Sequence, residues 1–579
     1  IQRYRLEKKD PGAGVSEAVQ PIVFFISPEV PQEWRSYIKR GIEDWKPLLE
    51  SAGFRDAIIA RDAPAPEEDP HWHPEDVRHN VVRWTPSGRQ NATGPAVIDP
   101  RSGEVISSHV ILWHDVLRLV ETWYFTQASP SDPRGRQIPL PRDIIGEVLR
   151  YVVSHEVGHS LGLRHNFKGH SSYSVARLRD KEWTQRWGNS ASIMDYSRLN
   201  YVAQPGDGAY LLPRFGPYDY FAIEWGYRQF TRAAARDGKG EKEVINTDAE
   251  MELLDELAAK QVDDPLLRFG GEDESANLDP AVNTNVIGAD PIEAAQYGLR
   301  NIDRVMPYLI SGTTRLGGDY ARLQEMYEAL IQHRHRQLSA VAKLVGGVEE
   351  TRYHARRGGP PFKAVPANRQ RAAVRFLVDR AFSVPNSLLD KEVLRRIGPT
   401  GGADGLQGSN VKLLRQLLSD GVFQRMAEAQ SLEPADKHYT GIEMLRDLNN
   451  GLFKELASVK PVTEAYRREL QRNYVTLMLV AAGAQDDPES SSQDIESSSP
   501  SLQVEAMASH PQAKRSASSP LPEVAQQYRA GILPSEARTM LLAGISHLHH
   551  KIEMVTGKVR DPVTAAHLRD LKTRLGRAL

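Results

Sequence analysis

Residues 155 to 165 read His-Glu-Val-Gly-His-Ser-Leu-Gly-Leu-Arg-His. Positions four apart lie on one face of a helix, so His155 and His159 direct two imidazoles at a common point. Glu156 sits one residue round, within reach of a water held there. Gly162 permits a sharp turn through backbone angles that a Cβ disfavours, and the turn returns His165 to the same point as a third ligand. Three imidazoles around a zinc ion leave one open corner, as in catalytic rather than structural sites. The chemistry this implies is hydrolysis by a metal-activated water with Glu156 as general base. Two blander alternatives stay open on these residues alone: a surface helix that carries three histidines, and a zinc site without chemistry.

A second stretch, Ser192-Ile193-Met194-Asp195-Tyr196, follows downstream. The extended histidine motif with a later methionine turn resembles the metzincin clan of zinc peptidases. That resemblance implies one catalytic Zn2+ and a methionine, Met194, packed beneath the histidines. Tyr196 matches the tyrosine of the astacin and serralysin branches, which implies a hydrogen bond to the tetrahedral intermediate; the alternative is a buried tyrosine with a satisfied hydroxyl. After the third histidine comes Asn166, where astacins carry Glu, serralysins Pro, matrixins usually Ser and adamalysins Asp. The string His165-Asn166-Phe167, with residues 192–207 downstream, is similar to a family of large bacterial zinc-dependent metalloproteases of mostly unknown substrate, over about residues 1–310. This implies export to the periplasm or beyond. The chain begins at Ile1 without a signal peptide, so a fragment or processed form is expected.

The elements that must position these residues are legible in the apolar pattern. The metal-site helix is expected to begin near Pro141, with Asp143 and Glu147 in its first turns. Ile144, Ile145, Val148, Leu149, Val152 and Val153 form its buried stripe. Upstream, residues 21–27, 57–60 and 79–85 read as strands and 32–51 as a helix. Residues 94–113 read as a hairpin whose second strand runs through about Val105 to Trp113, around the turn signal Asp99-Pro100-Arg101-Ser102-Gly103-Glu104. The zincin layout implies an antiparallel edge strand above the metal, onto which a peptide adds through backbone hydrogen bonds; an ordinary core hairpin is the alternative. The fold class is therefore α+β: a zincin- or metzincin-like catalytic domain, a twisted mixed sheet plus active-site helix, followed by a mostly α-helical C-terminal region.

The expected domains are a catalytic unit over 1–310, a helical domain over 311–483, a disordered Ser/Pro-rich linker over 484–520 and a C-terminal helical segment over 521–579. Within the first, 175–187, 251–261 and 291–306 read as helices, and the aromatic-rich stretch 197–230 as core packing. Later helices are expected at 319–344, 367–382, 410–430, 440–457, 463–482, 535–555 and 562–577. His333 and His335 are two apart, share no helical face, and are expected to be solvated. His71, His73, His547, His549 and His550 are expected not to bind metal.

Lys plus Arg number 73 against 75 for Asp plus Glu, so there is no electrostatic case for nucleic acid as a partner. A mean hydropathy of −0.48 and the lack of any apolar run near about 18 residues give no transmembrane segment. With no cysteine, disulfides, Cys–zinc sites and cysteine nucleophiles are excluded. The function these observations favour is a zinc-dependent endopeptidase acting on a peptide or protein substrate. The alternatives are a zinc hydrolase of a non-peptide substrate, and a silent binding or scaffold protein with a relic zinc site. The intact Glu156 speaks against the relic, which needs no base.

Overall fold

The apolar, β-branched run Ile22–Ile26 forms a strand buried on alternate residues, and the rest of the sheet grows outward from it. In spatial order the strands are Ile58–Asp62, Ile22–Ile26, Asn80–Thr85 and Val105–Trp113, followed by two short return strands, Ala92–Thr93 and Ala96–Ile98. The first four run parallel, with Phe25 opposite Val81 and Val82 opposite Val110. The two returns are antiparallel to Val105–Trp113, with Ala92 opposite Leu112 and Val97 opposite Ser107. The sheet is thus mixed, and the expected hairpin is present. Its second limb is interior, however, and the antiparallel edge is its short first limb. The turn explains this: Gly103 adopts φ +78° and its N–H donates to the Asp99 carbonyl, folding the earlier limb outside the later one.

The computed structural model describes residues 1–232, 243–244, 247–272, 278–352, 359–398, 401–432, 438–484 and 535–579. The linker expected over 484–520 lies outside these apart from Ala484.

The metal-site helix spans Arg142–Ser160, with Pro141 at its N-cap as expected. Its apolar stripe is buried, but so are Tyr151, Ser154, Val157 and Gly158, because the helix is covered on several sides. The helix Gln32–Glu43 packs along one flank, and the helix Val116–Trp123 and the sheet cover others. The Trp45 indole N–H donates to the Ser154 carbonyl at 2.9 Å. Ser108, on the long strand, is 2.7 Å from the Ser160 hydroxyl and donates to the Pro95 carbonyl at 2.9 Å. One buried hydroxyl therefore ties sheet interior, sheet edge and helix end together. One apolar core runs from Tyr4 to Tyr227 through all of these elements.

The helix expected over 175–187 is two short helices, Val175–Arg179 and Lys181–Trp187. Asp180 breaks it by capping the second, accepting from the Trp183 N–H at 2.6 Å. Farther on, Thr247–Asp263, Pro291–Thr313, Ala321–Ala342, Ala367–Arg380, Gly441–Leu452, Ala465–Ala481, Ser535–Thr556 and Pro562–Gly576 are helical. The pattern read as 410–430 is two helices, Gly401–Leu417 and Asp420–Leu432. The last two helices share a core with Gly441–Leu452 and Ala465–Ala481. Tyr201 and Tyr227 are buried, while Tyr210, Phe215 and Tyr220 line a cavity of about 320 Å³ together with Tyr151.

One expectation is overturned in the helix Ala321–Ala342. His333 is buried, edge-on to the Tyr201 ring at 4.7 Å. His335 is half-buried, its Nδ1 3.0 Å from the Ser409 hydroxyl. The helix is packed on opposite faces by Pro291–Thr313 and Gly401–Leu417, so two positions that share no face both meet a neighbour. Burial, helped by the Arg336 charge, pushes His333 down to about 3. An unfolded chain takes up that proton near pH 6.5. Between those values the unfolded state binds more protons than the native one, so the stability is complete above about pH 6.5 and is lost as acid is added. For one histidine the loss is at most about 1.4 kcal/mol per pH unit. We expect the unfolding midpoint of His333→Leu to fall less steeply than that of the native chain between about pH 6.5 and 4.5; parallel profiles would mean that His333 titrates normally in the folded state.

Candidate metal centre

The metal-site helix ends where its sequence runs out of room for a side chain. Leu163 and Gly162 donate back to the carbonyls of Gly158 and His159. Gly162 sits at φ +93°, and a Cβ there would lie 1.9 Å from the Gln2 carbonyl oxygen. Both the backbone angle and the passing N-terminal segment therefore require glycine. The reversal brings His165 back beneath the helix. One nitrogen from each of His155, His159 and His165 then falls within 4.8 Å of the others, and among the described residues this is the one such group of three or more metal-binding side chains.

The far nitrogen of each ring is anchored. His155 Nδ1 donates to the Ile193 carbonyl at 2.8 Å, and His159 Nδ1 to the Leu163 carbonyl at 2.9 Å. His165 Nδ1 donates to the Glu272 carboxylate. Carbonyl and carboxylate oxygens only accept, so in each ring Nδ1 carries a proton, and Nε2 is the atom left to face the centre. Burial and the two neighbouring imidazoles hold His155 well below the ordinary histidine value, which keeps it neutral. Yet His159 Nε2 and His165 Nε2 lie 3.1 Å apart, and His155 Nε2 is buried without a hydrogen-bond partner. Nitrogens this close need a shared proton or a metal cation between them. The donor set, three imidazoles each braced from behind, fits zinc.

Beneath the histidines the chain makes the turn Ser192–Tyr196. Met194 is fully buried against Gly158, where a Cβ would come 2.3 Å from its sulfur. Two buried carboxylates shape the turn. Asp219 accepts from the Ser192 hydroxyl at 2.7 Å and from the N–H groups of Ile193 and Gly216 at 2.8 Å. Burial nonetheless pushes Asp219 up to about 7. Asp195 accepts from the His170 N–H at 2.6 Å, His170 Nδ1 at 3.0 Å and the Ser190 hydroxyl at 2.9 Å. The Ile193 carbonyl that holds His155 is fixed by this framework.

Glu156 and Tyr196 flank the centre. Glu156 is buried, and burial pushes its carboxyl up to about 8 against the pull of the Arg198 charge. The Tyr196 ring lies 4.4 Å from that of His165 and 5.5 Å from that of His155. Phe167 stacks on His165 at 4.9 Å, nearly parallel, and its ring lies 5.2 Å from that of Tyr196. All seven residues singled out in the sequence, His155, Glu156, His159, Gly162, His165, Met194 and Tyr196, are thus brought into one neighbourhood.

Three contributions were not read from the sequence. Glu272 braces His165 from 107 residues away, in a glycine-rich stretch without a spacing signal. Arg198 lies over the Tyr196 ring at 4.0 Å; it is visible two residues beyond Tyr196, but nothing in the sequence tells which way it points. Asn166, noted only as a departure from other branches, is fully buried. Its side chain donates to the Arg268 carbonyl at 3.0 Å and accepts from the Gly270 N–H at 3.1 Å. It therefore holds the segment that delivers Glu272.

No curated protein and no solved structure matches the chain. A family model described as Met-zincin matches residues 137–460. The match starts just before the metal-site helix, takes in the three histidines, Met194 and the bracing segment, and continues well past residue 310, where the resemblance drawn from sequence was expected to weaken. It covers more than half of the 579 residues. The histidine trio, the methionine beneath it and this match agree: the chain belongs to the Met-zincin family, with the fold of a metzincin-type zinc metallopeptidase.

Proposed function

We propose that the chain is a zinc-dependent endopeptidase. The observation that carries this is the convergence of three imidazole nitrogens beside a buried carboxyl, Glu156. His155, His159 and His165 would hold the ion. Bound there, zinc supplies Lewis acidity, which brings the pKa of a water down toward about 7 and polarises a carbonyl.

Glu156 takes the proton from the attacking water and later delivers it to the leaving amine. Its raised affinity for a proton suits the second half of that task. Tyr196, whose phenol burial keeps protonated, donates a hydrogen bond to the oxyanion of the tetrahedral intermediate. Met194 and Gly162 act on geometry alone, one as the floor of the histidines and the other as the hinge of the third. A buried, raised carboxyl also costs stability, which a relic site has no reason to bear. The edge strand Ala96–Ile98 offers backbone groups to an extended peptide. Among the described residues no helix is long and apolar enough to cross a membrane, and export goes with this function by resemblance.

The first test is metal content of the purified chain, paired with digestion of unfolded casein with and without a chelator. One zinc per chain and chelator-sensitive cleavage are expected; zinc without cleavage of any peptide would point to a non-peptide substrate or a silent site. For Glu156→Gln we expect one zinc to be retained while kcat falls by about 100- to 10,000-fold, the usual worth of a positioned base. Full activity in that variant rules Glu156 out as the base. For Glu272→Gln the prediction concerns the metal itself: zinc affinity, titrated against a chelating dye, drops about 10- to 100-fold because His165 loses its charged brace. Unchanged affinity would make the Glu272 contact incidental.

A further inference from the structure

Arg198 is a cation without an anion. It is half-buried, and among the described residues no carboxylate lies within ion-pair distance of it. Several other covered cations are paired, Arg150 with Asp44, Arg467 with Glu455 and Lys168 with Asp279, each at 2.6 Å, while the buried Arg334 donates to the Arg380 carbonyl at 2.7 Å. The guanidinium carbon of Arg198 instead lies 4.0 Å from the Tyr196 ring centre and 4.4 Å from that of Trp123. Its Nε donates to the Asn285 side-chain oxygen at 2.9 Å. Asn285 is itself fixed, its N–H donating to the Tyr196 carbonyl at 2.8 Å. From this position the positive charge reaches Glu156, Tyr151, Tyr196 and His155.

The backbone at Arg198 is strained to hold it there. Its φ is +56°, a region that side chains other than glycine rarely adopt. Asn189 donates to the Arg198 carbonyl at 3.1 Å and fixes that conformation. Aromatic contacts and hydrogen bonds to Asn285 and Tyr151 orient the guanidinium plane without a carboxylate at ion-pair distance. A planar fork held in this way is prepared for a carboxylate.

We propose that Arg198 is the receptor for a carboxylate of the substrate, giving the site a preference for an acidic residue next to the scissile bond. This rests on the peptidase function proposed above and names its substrate class. Glu156 otherwise puts a negative group where a substrate carboxylate must approach, and Arg198 offsets that repulsion.

The test uses the full chain loaded with zinc and a series of neutral peptides in which a single Glu is stepped through successive positions, each paired with the matching Gln peptide. At one position the Glu peptide is expected to be favoured about 10- to 100-fold in kcat/KM, mainly through KM, the worth of a charge-assisted hydrogen bond. In Arg198→Gln the preference disappears, in Arg198→Lys part of it returns, and in Arg198→Glu a Lys peptide overtakes the Glu peptide. Each readout is a ratio within one variant, so a general loss of turnover does not imitate it. The same pairs are titrated against the chain carrying Glu156→Gln, with and without Arg198→Gln, by fluorescence anisotropy, which needs no cleavage. An Arg198-dependent preference in binding without cleavage of any peptide sinks the peptidase function and keeps the receptor. Cleavage or binding without a Glu-over-Gln preference, or a preference that survives Arg198→Gln, overturns the receptor.

Discussion

Two imidazole Nε2 atoms are held 3.1 Å apart with a third ring nitrogen close by, and contacts from several distant segments keep them there. Every anchor around the centre enforces this convergence. Two main-chain carbonyls and one carboxylate take the Nδ1 protons, which fixes both the tilt and the tautomer of the rings. Gly162 gives the reversal that carries the third ring, and Met194 fills the floor so that none of the rings can drop away. A divalent cation would draw the three nitrogens onto one point, which would couple binding to the folding of the site.

The anchors differ in how far along the chain they come from, and that distance decides what the sequence revealed. His155 and His159 are one helical turn apart, and Gly162 and His165 follow within six residues, so spacing alone defines them. Met194 and Tyr196 lie farther off but carry a local signature. The metal-site helix was legible because its apolar positions recur at helical spacing and Pro141 marks its start. Glu272 has no such signature: it reaches His165 only because Asn166 pins Arg268 and Gly270. Arg198 was in plain view, yet its direction depends on an unusual backbone angle and on Asn285 and Trp123. The misread His333 teaches the same lesson from the other side. Its helix carries one apolar stripe, Leu323, Met326, Tyr327, Leu330 and Ile331, and His333 lies at the margin of that stripe, where the pattern does not tell burial from exposure.

Buried charge in this chain is concentrated around the turn that carries the site. Asp195 and Asp219 hold the methionine turn through backbone N–H groups, hydroxyls and the His170 ring rather than through Lys or Arg. Such carboxylates are costly to bury and strongly directional once satisfied, so they specify one conformation of a loop that has no regular secondary structure to define it. Apolar packing alone would leave residues 188–200 free to settle in several ways. The rigid turn in turn holds the Ile193 carbonyl at His155 and the Tyr196 carbonyl at Asn285.

The same logic extends into the helical half. Lys168, three residues past the last histidine, is buried in an ion pair with Asp279 and donates to the Glu350 carbonyl at 2.5 Å. Asn283 and Asn285 donate to the Phe167 and Tyr196 carbonyls, and Lys343 donates to the Val282 carbonyl at 2.6 Å. Asn301, on the helix Pro291–Thr313, holds the Tyr201 and Ala203 carbonyls at 2.8 Å each. The outer wall of the metal site is therefore built from residues 268–272 and 278–285, which are braced in turn by helices beyond residue 290. Breaking a buried ion pair by removing one partner typically costs about 3–5 kcal/mol, so Lys168 and Asp279 couple the ordering of this wall to the fold of the helices behind it. A catalytic unit cut from this chain at the last motif residue would keep its three histidines and lose what aims the third. The family match, which begins at the metal-site helix and continues far into the helical half, follows the extent of that physical unit.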